Sequence, residues 1–260
     1  MTELTAPIPL PPLLLSANGI LFGTTYNGGT RFFGSVFSLR QHSSRWTFDG
    51  LYNFTGAGKG QTPAGGVITD RAGNLYGTTY AYDTNNFGVA FLLRRHAGGV
   101  WKEHAMYRFE DNGGGEEPYA GLTLRHEGEF YGTTSVSAPD NGGVAFKLVH
   151  RGQQWVEKVI HAFGGSGDGK NPYGGLVEDK SGNLYGTTGA GGTANAGVVF
   201  ELHPTHPGPW TEQILHSFTG GDDGEYPAGD LTLDASGNLY GATQGSDYGS
   251  GHGVIFEIVR

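Results

Sequence analysis

The stretch Asp179-Lys180-Ser181-Gly182-Asn183-Leu184-Tyr185-Gly186-Thr187-Thr188 decides the fold, because its second half recurs along the whole chain. The other copies are Leu21-Phe22-Gly23-Thr24-Thr25, Leu75-Tyr76-Gly77-Thr78-Thr79, Phe130-Tyr131-Gly132-Thr133-Thr134 and Leu239-Tyr240-Gly241-Ala242-Thr243. Their central glycines stand at 23, 77, 132, 186 and 241, so the spacings are 54, 55, 54 and 55. A fixed period of this length marks a repeat architecture. Around the fourth copy, four runs have strand chemistry: Gly175 to Asp179, Asn183 to Thr188, Val198 to Leu202 and Trp210 to Phe218. They alternate, they carry aromatic and β-branched residues, and none sustains a helical apolar period. Asp179-x-x-Gly182-Asn183 reads as a tight hairpin, with the Asp side chain capping the turn and glycine taking positive φ. The same spelling occurs at Asp70 to Asn74 and Asp234 to Asn238. The fourth run is framed by Trp46/Phe54, Trp101/Phe109, Trp155/Phe163 and Trp210/Phe218.

Five antiparallel four-stranded units protect their edges best by radial closure. The last copy stops at its third run, Val254 to Ile258, while Thr2 to Ile8 precedes the first strand of copy one. The expectation is an all-β, five-bladed β-propeller closed by N- and C-terminal strands, with a short or absent outer strand in the last blade. Its blades run over about 10–54, 63–109, 118–163, 172–218 and 227–260 plus 1–8.

Asn-Leu-Tyr-Gly-Thr-Thr, a Gly-Gly loop and then Gly-x-x-Phe-x-Leu resemble the tandem repeat of the Gloeobacter–Verrucomicrobia (GloVer) proteins over essentially the whole chain. Copy one departs with Ser16-Ala-Asn-Gly19 and copy three with Arg125-His-Glu-Gly128. The resemblance implies a repeat propeller, often on exported or surface proteins, and brings no catalytic residues with it.

Composition agrees with a single globular domain. Of 260 residues 48 are glycine and none is cysteine, which excludes disulfide and thiolate chemistry. A net charge of -9 argues against nucleic acid or an anionic membrane as partner. No apolar run reaches the ~20 residues that span a bilayer, so no membrane insertion is expected, and a monomer is. Met1 to Ser16 is broken by four prolines and lacks a positive n-region, so it reads as part of the fold rather than a secretion signal.

Functional residues are sought where the copies differ. The loops entering each first strand, and those between strands two and three, should share one face and diverge strongly. Their aromatic and polar residues, Tyr26, Arg31, Tyr80, Tyr82, Asp83, Glu117, Tyr226, Asp247 and Tyr248, suit a small molecule or glycan through stacking and hydroxyl contacts. At the axis, Gly66, Gly121 and Gly175 are replaced by Pro12 in copy one and Asp230 in copy five. A lone axial carboxylate calls for a cation, water or donor. Asp230 with His252 is therefore a candidate catalytic pair and a candidate ligand set for a divalent cation, Ca²⁺ or Zn²⁺, in the channel. Two functions follow: a carbohydrate-binding propeller, or a hydrolase of glycosides, esters or phosphoesters at the channel mouth. His161 and His216 fill the slot of Tyr52 and Tyr107 and read as structural. No calcium-loop, zinc, nucleophile-elbow or dinucleotide motif is present.

Overall fold

The computed structural model describes residues 12–56, 59–80, 87–110, 114–126, 128–137, 141–205, 207–245 and 253–260. Four four-stranded antiparallel sheets and one three-stranded sheet follow one another along the chain, each a simple meander. Blade one holds Leu14–Leu15, Leu21–Thr25, Ser35–His42 and Arg45–Asn53, and blade two Ile68–Thr69, Leu75–Thr79, Val89–Arg95 and Trp101–Arg108. Blade three holds Thr123–His126, Glu129–Thr134, Val144–Arg151 and Gln154–Ala162. Blade four comprises Val177–Glu178, Leu184–Thr188, Val198–His203 and Thr211–Ser217, with a small extra pairing of Gly169–Lys170 to Ala190–Gly191. Among the described residues blade five has Thr232–Leu233, Leu239–Ala242 and Ile255–Ile258. This is a five-bladed β-propeller. Among the described residues no helix is long and apolar enough to cross a membrane.

The repeated motif is explained by register. Its central glycine pairs across the sheet with a phenylalanine of strand three: Gly23 with Phe37, Gly77 with Phe91, Gly132 with Phe146, Gly186 with Phe200 and Gly241 with Phe256. A Cβ on any of these glycines would lie 2.4 to 2.8 Å from the tip of that ring. Glycine is thus the vacancy into which the ring folds. One residue before each phenylalanine in blades one to four the register to strand four slips, a repeated bulge that strengthens local twist.

The hairpin signature forms one bonded unit. In blade four, Asp179 accepts from the Asn183 amide and side chain at 2.9 Å each and from the Tyr185 hydroxyl at 2.9 Å. Asp70 and Asp234 repeat the arrangement with Tyr76 and Tyr240. Blade one has neither the Asp nor the Tyr hydroxyl, having Ser16 and Phe22 instead.

Blades are joined by a second device, carried by the first threonine of the motif. Thr24, Thr78 and Thr133 donate to carbonyls of the next blade, those of Gly65, Ala120 and Gly174, at 2.9, 2.5 and 2.8 Å. Thr187 reaches the Gly229 carbonyl at 3.3 Å. Blade five carries Ala242 at this position and has no hydroxyl to offer. Apolar clusters fill the four seams between successive blades. At the fifth seam, Ile255, Leu15 and Phe48 are 85%, 66% and 60% exposed. The Thr2 to Ile8 segment, assigned by sequence to that seam, lies outside the described residues.

Toward the rim, the third residue of each Trp-x-Glu spelling projects back at the preceding blade. Glu103 is 8% exposed, and among the described residues its Oε1 has no hydrogen-bond partner. Burial pushes its carboxyl from 4.5 up to about 7, against the pull of Lys59 and Arg108. The folded state therefore keeps a proton that the unfolded chain releases, and stability falls as pH rises between about 4.5 and 7. Glu103→Gln is expected to stabilise the protein by about 2 kcal/mol at pH 8 and to do nothing at pH 4. Urea denaturation at the two pH values checks this; equal effects at both would refute it.

Candidate functional site

Each entering loop reaches its first strand through a residue followed by proline: Thr62-Pro63, Glu117-Pro118, Asn171-Pro172 and Tyr226-Pro227. All four leading residues have positive φ, 54, 60, 55 and 55°. Non-glycine residues avoid this region, and strain of this kind persists only where the surroundings hold it. What holds it is a stitch on both sides. Each amide donates to the preceding blade, at the Phe33, Phe87, Gly142 and Ala196 carbonyls. Each carbonyl accepts from the residue after the threonine pair of its own blade, at Tyr80, Ser135, Gly189 and Gln244. The two loop sets thus share one face and are bonded to each other, as the repeat pattern anticipates.

Inside this rim the first strands crowd the axis. A Cβ on Gly65 would meet the Gly121 amide at 2.3 Å, and one on Gly66 the Pro12 carbonyl at 2.8 Å. The crowding ends at a cavity of about 310 Å³, walled by Pro12, Tyr119, Tyr173, Asp230, Thr232 and loop backbone. Asp230 does stand at the axis, but it is exposed rather than desolvated, and its Oδ1 accepts from the Gly175 amide at 2.6 Å. The donor that an axial carboxylate calls for is therefore the neighbouring Gly175 amide, and the group is open to solvent.

The cavity rim is an arc of tyrosines. Tyr80 and Tyr119 have ring centroids 4.4 Å apart, and Tyr119 and Tyr173 5.3 Å apart in an edge arrangement. Tyr80 and Tyr119 each perturb the other's phenol and Glu117 perturbs both, so the three groups lie within electrostatic reach of one another. Glu117 also lies 3.5 Å from the Ser135 hydroxyl. Burial raises the Glu117 carboxyl, and the Tyr80 and Ser135 bonds pull it partly back. Burial and the bond to Tyr80 push the Tyr119 phenol up, so it stays a donor. Tyr26 is raised by burial and by the Glu117 charge, which places it beside the same carboxylate.

Of the residues expected from sequence, Tyr26, Tyr80 and Glu117 therefore gather at one rim. Tyr226 is 42% exposed and close enough to affect Tyr173 electrostatically. Arg31 is exposed on a loop of the same set. Tyr82, Asp83, Asp247, Tyr248 and His252 lie outside the described residues, so the Asp230–His252 pairing does too. Tyr119 and Tyr173 were not anticipated. Their signal was the Pro-Tyr spelling at 118–119 and 172–173, where the other entering loops have Pro63-Ala64 and Pro227-Ala228.

The repeat model described as the Gloeobacter/Verrucomicrobia repeat matches residues 6–155 and 102–259. The chain belongs to this family. No curated protein matches the sequence. Among solved structures, this GloVer chain is similar to one provisionally named 6-phosphogluconolactonase from Bacteroides uniformis, with 13% identity and a TM-score of 0.54, covering 92% of this chain and 67% of that one. It is also aligned with a provisionally named oxidoreductase (glucose dehydrogenase) from Thermus thermophilus, with 12% identity and a TM-score of 0.39, over 96% of both chains. The first likeness bears on the propeller fold of the GloVer chain and on nothing finer.

Proposed function

We propose that this protein is a ligand-binding propeller whose axial cavity takes a small polyhydroxylated molecule, a mono- or disaccharide unit. The observation that carries this reading is the run of packed rings Tyr80, Tyr119 and Tyr173 beside a cavity of about 310 Å³ that Tyr119, Tyr173 and Asp230 line. Sugar recognition pairs an aromatic face with the C–H side of the ring and a carboxylate with its hydroxyls. Tyr119 and Tyr173 supply the faces, while Glu117 and Asp230 supply acceptors. One unequal site is favoured over five equal ones, since the matching positions hold Ala64 and Ala228 in two other blades.

A glycan array followed by calorimetry on the best hit tests it. Tyr119→Ala and Tyr80→Ala are each expected to weaken binding at least tenfold, because a buried aromatic contact is worth on the order of 1–2 kcal/mol or more. Silence across a broad array, or unchanged affinity in both variants, would reject the reading. Turnover of nitrophenyl glycosides or esters, lost in Asp230→Asn, would move the assignment from binding to hydrolysis.

A further inference from the structure

Away from the axial cavity, the outer seam between blades three and four joins three side chains from three segments. His161 lies on the fourth strand of blade three, Asp168 in the loop that follows, and Glu212 on the fourth strand of blade four. His161 Nε2 is 3.2 Å from Asp168 Oδ2 and 3.5 Å from Glu212 Oε1, and the three ligand atoms lie within 4.8 Å of one another. The side chains are only 20%, 11% and 14% exposed. We propose that His161 Nε2, Asp168 Oδ2 and Glu212 Oε1 bind a zinc ion that clamps blade three to blade four.

Geometry supports the assignment first. Zinc bonds of about 2.0–2.2 Å in a tetrahedron place neighbouring ligand atoms roughly 3.3–3.6 Å apart, and the two edges measured on His161 fall close to this. A set of one imidazole and two carboxylates suits zinc and leaves the fourth corner for water. Asp168 is already oriented for the task, with its oxygens accepting from the Gly164 amide at 3.2 Å and the Gly169 amide at 2.6 Å.

Charge supports it second. Glu212 Oε1 is buried and, among the described residues, has no hydrogen-bond partner. Asp168 brings a second carboxylate to the same point, so a cation there would meet both acidic groups.

Comparison of the seams supports it third. The same slots hold Tyr52 with Glu103 and Tyr107 with Glu157, where the Tyr107 hydroxyl donates to Glu157 at 3.0 Å. A phenol is a donor and needs no ion. Blade four repeats the His–Asp pair, with His216 Nε2 3.1 Å from Asp223 Oδ2, but among the described residues the fifth blade brings no glutamate to it. The third ligand therefore exists at one seam among those described, which supplies an internal control.

The test is calorimetric titration of ZnCl2 into the full chain after EDTA dialysis at pH 7.5, with melting followed in parallel. One equivalent should bind, and zinc at a hundredfold excess over Kd should raise Tm by roughly 5 °C. Glu212→Gln and His161→Gln should each weaken binding at least tenfold, while His216→Gln leaves it unchanged. Circular dichroism identifies any variant that fails to fold. For that case, Co²⁺ added to the unsubstituted chain should give the intense visible bands of a tetrahedral site. Absence of saturable binding, an octahedral Co²⁺ spectrum, or full binding retained in folded Glu212→Gln would overturn the proposal.

Discussion

Replacing Arg260 with alanine is expected to destabilise the protein by about 3 kcal/mol and to lower Tm by roughly 6–12 °C. The reason lies in Glu201, whose side chain is 1% exposed in the seam between blades four and five. Arg260 grips it in a two-pronged contact, Nη2 lying 2.9 and 3.0 Å from the two carboxylate oxygens. The same guanidinium bonds the Tyr185 hydroxyl and stacks over its ring at 4.6 Å. Removing the arginine leaves the carboxylate with the Tyr185 hydroxyl at 2.6 Å and His203 at 3.5 Å, and no fixed cation. A stranded buried charge costs more than the pair gains, and the partial exposure of Arg260 places the loss at the lower end of that range. Arg260→Lys restores charge without the fork and should fall between the two. Glu201→Gln in the alanine background should recover most of the loss. Thermal and urea denaturation of the four proteins measure this, and a change below 0.5 kcal/mol in Arg260→Ala would show that the charge is not stranded.

Gly186→Ala carries the other large effect, also about 3 kcal/mol. A Cβ at this position would sit 2.5 Å from the tip of Phe200 and 3.1 Å from Leu176. Phe200 and Leu176 are 0% and 6% exposed, so neither has space to retreat. The bad contact is with a packed ring rather than with backbone, which makes the outcome reversible by design. Phe200→Leu alone is expected to lose stability through a cavity, yet in the Gly186→Ala background it should cost far less. A double-mutant cycle that summed to simple additivity would mean that glycine is required there for backbone reasons instead. Gly241, facing Phe256 at 2.4 Å in the incomplete blade, should tolerate alanine better, because Phe256 is only half-buried.

The blade count and strand order were legible because the repeat encodes local geometry. Gly186 opposite Phe200, and Asp179 with Asn183 and Tyr185, are short-range relations that a period makes visible. The shared loop face was legible for the same reason. The rim tyrosines were not, because Tyr119 and Tyr173 converge only through the rotation between successive blades. His161 illustrates the limit most clearly. Its slot, shared with Tyr52 and Tyr107, reads from sequence as structural, and its neighbours Asp168 and Glu212 come from a following loop and from the next blade. A spelling scan for metal spacing cannot join residues 161, 168 and 212 across two sheets. Asp230 was placed at the axis because it stands where three other copies have glycine, whereas its exposure and its bond to the Gly175 amide of the preceding blade depend on packing that no single repeat spells out.

The threonine contacts run in one direction, each blade gripping the one after it, and the last grip is absent because Ala242 stands in place of a hydroxyl. Among the described residues, heat or a pulling force therefore meets four joints riveted by a threonine and one without that rivet. Blade five, held from behind by Thr187 and without a threonine of its own to hold the blade ahead, is the leaf expected to peel away first, with disassembly proceeding backwards through the rotor.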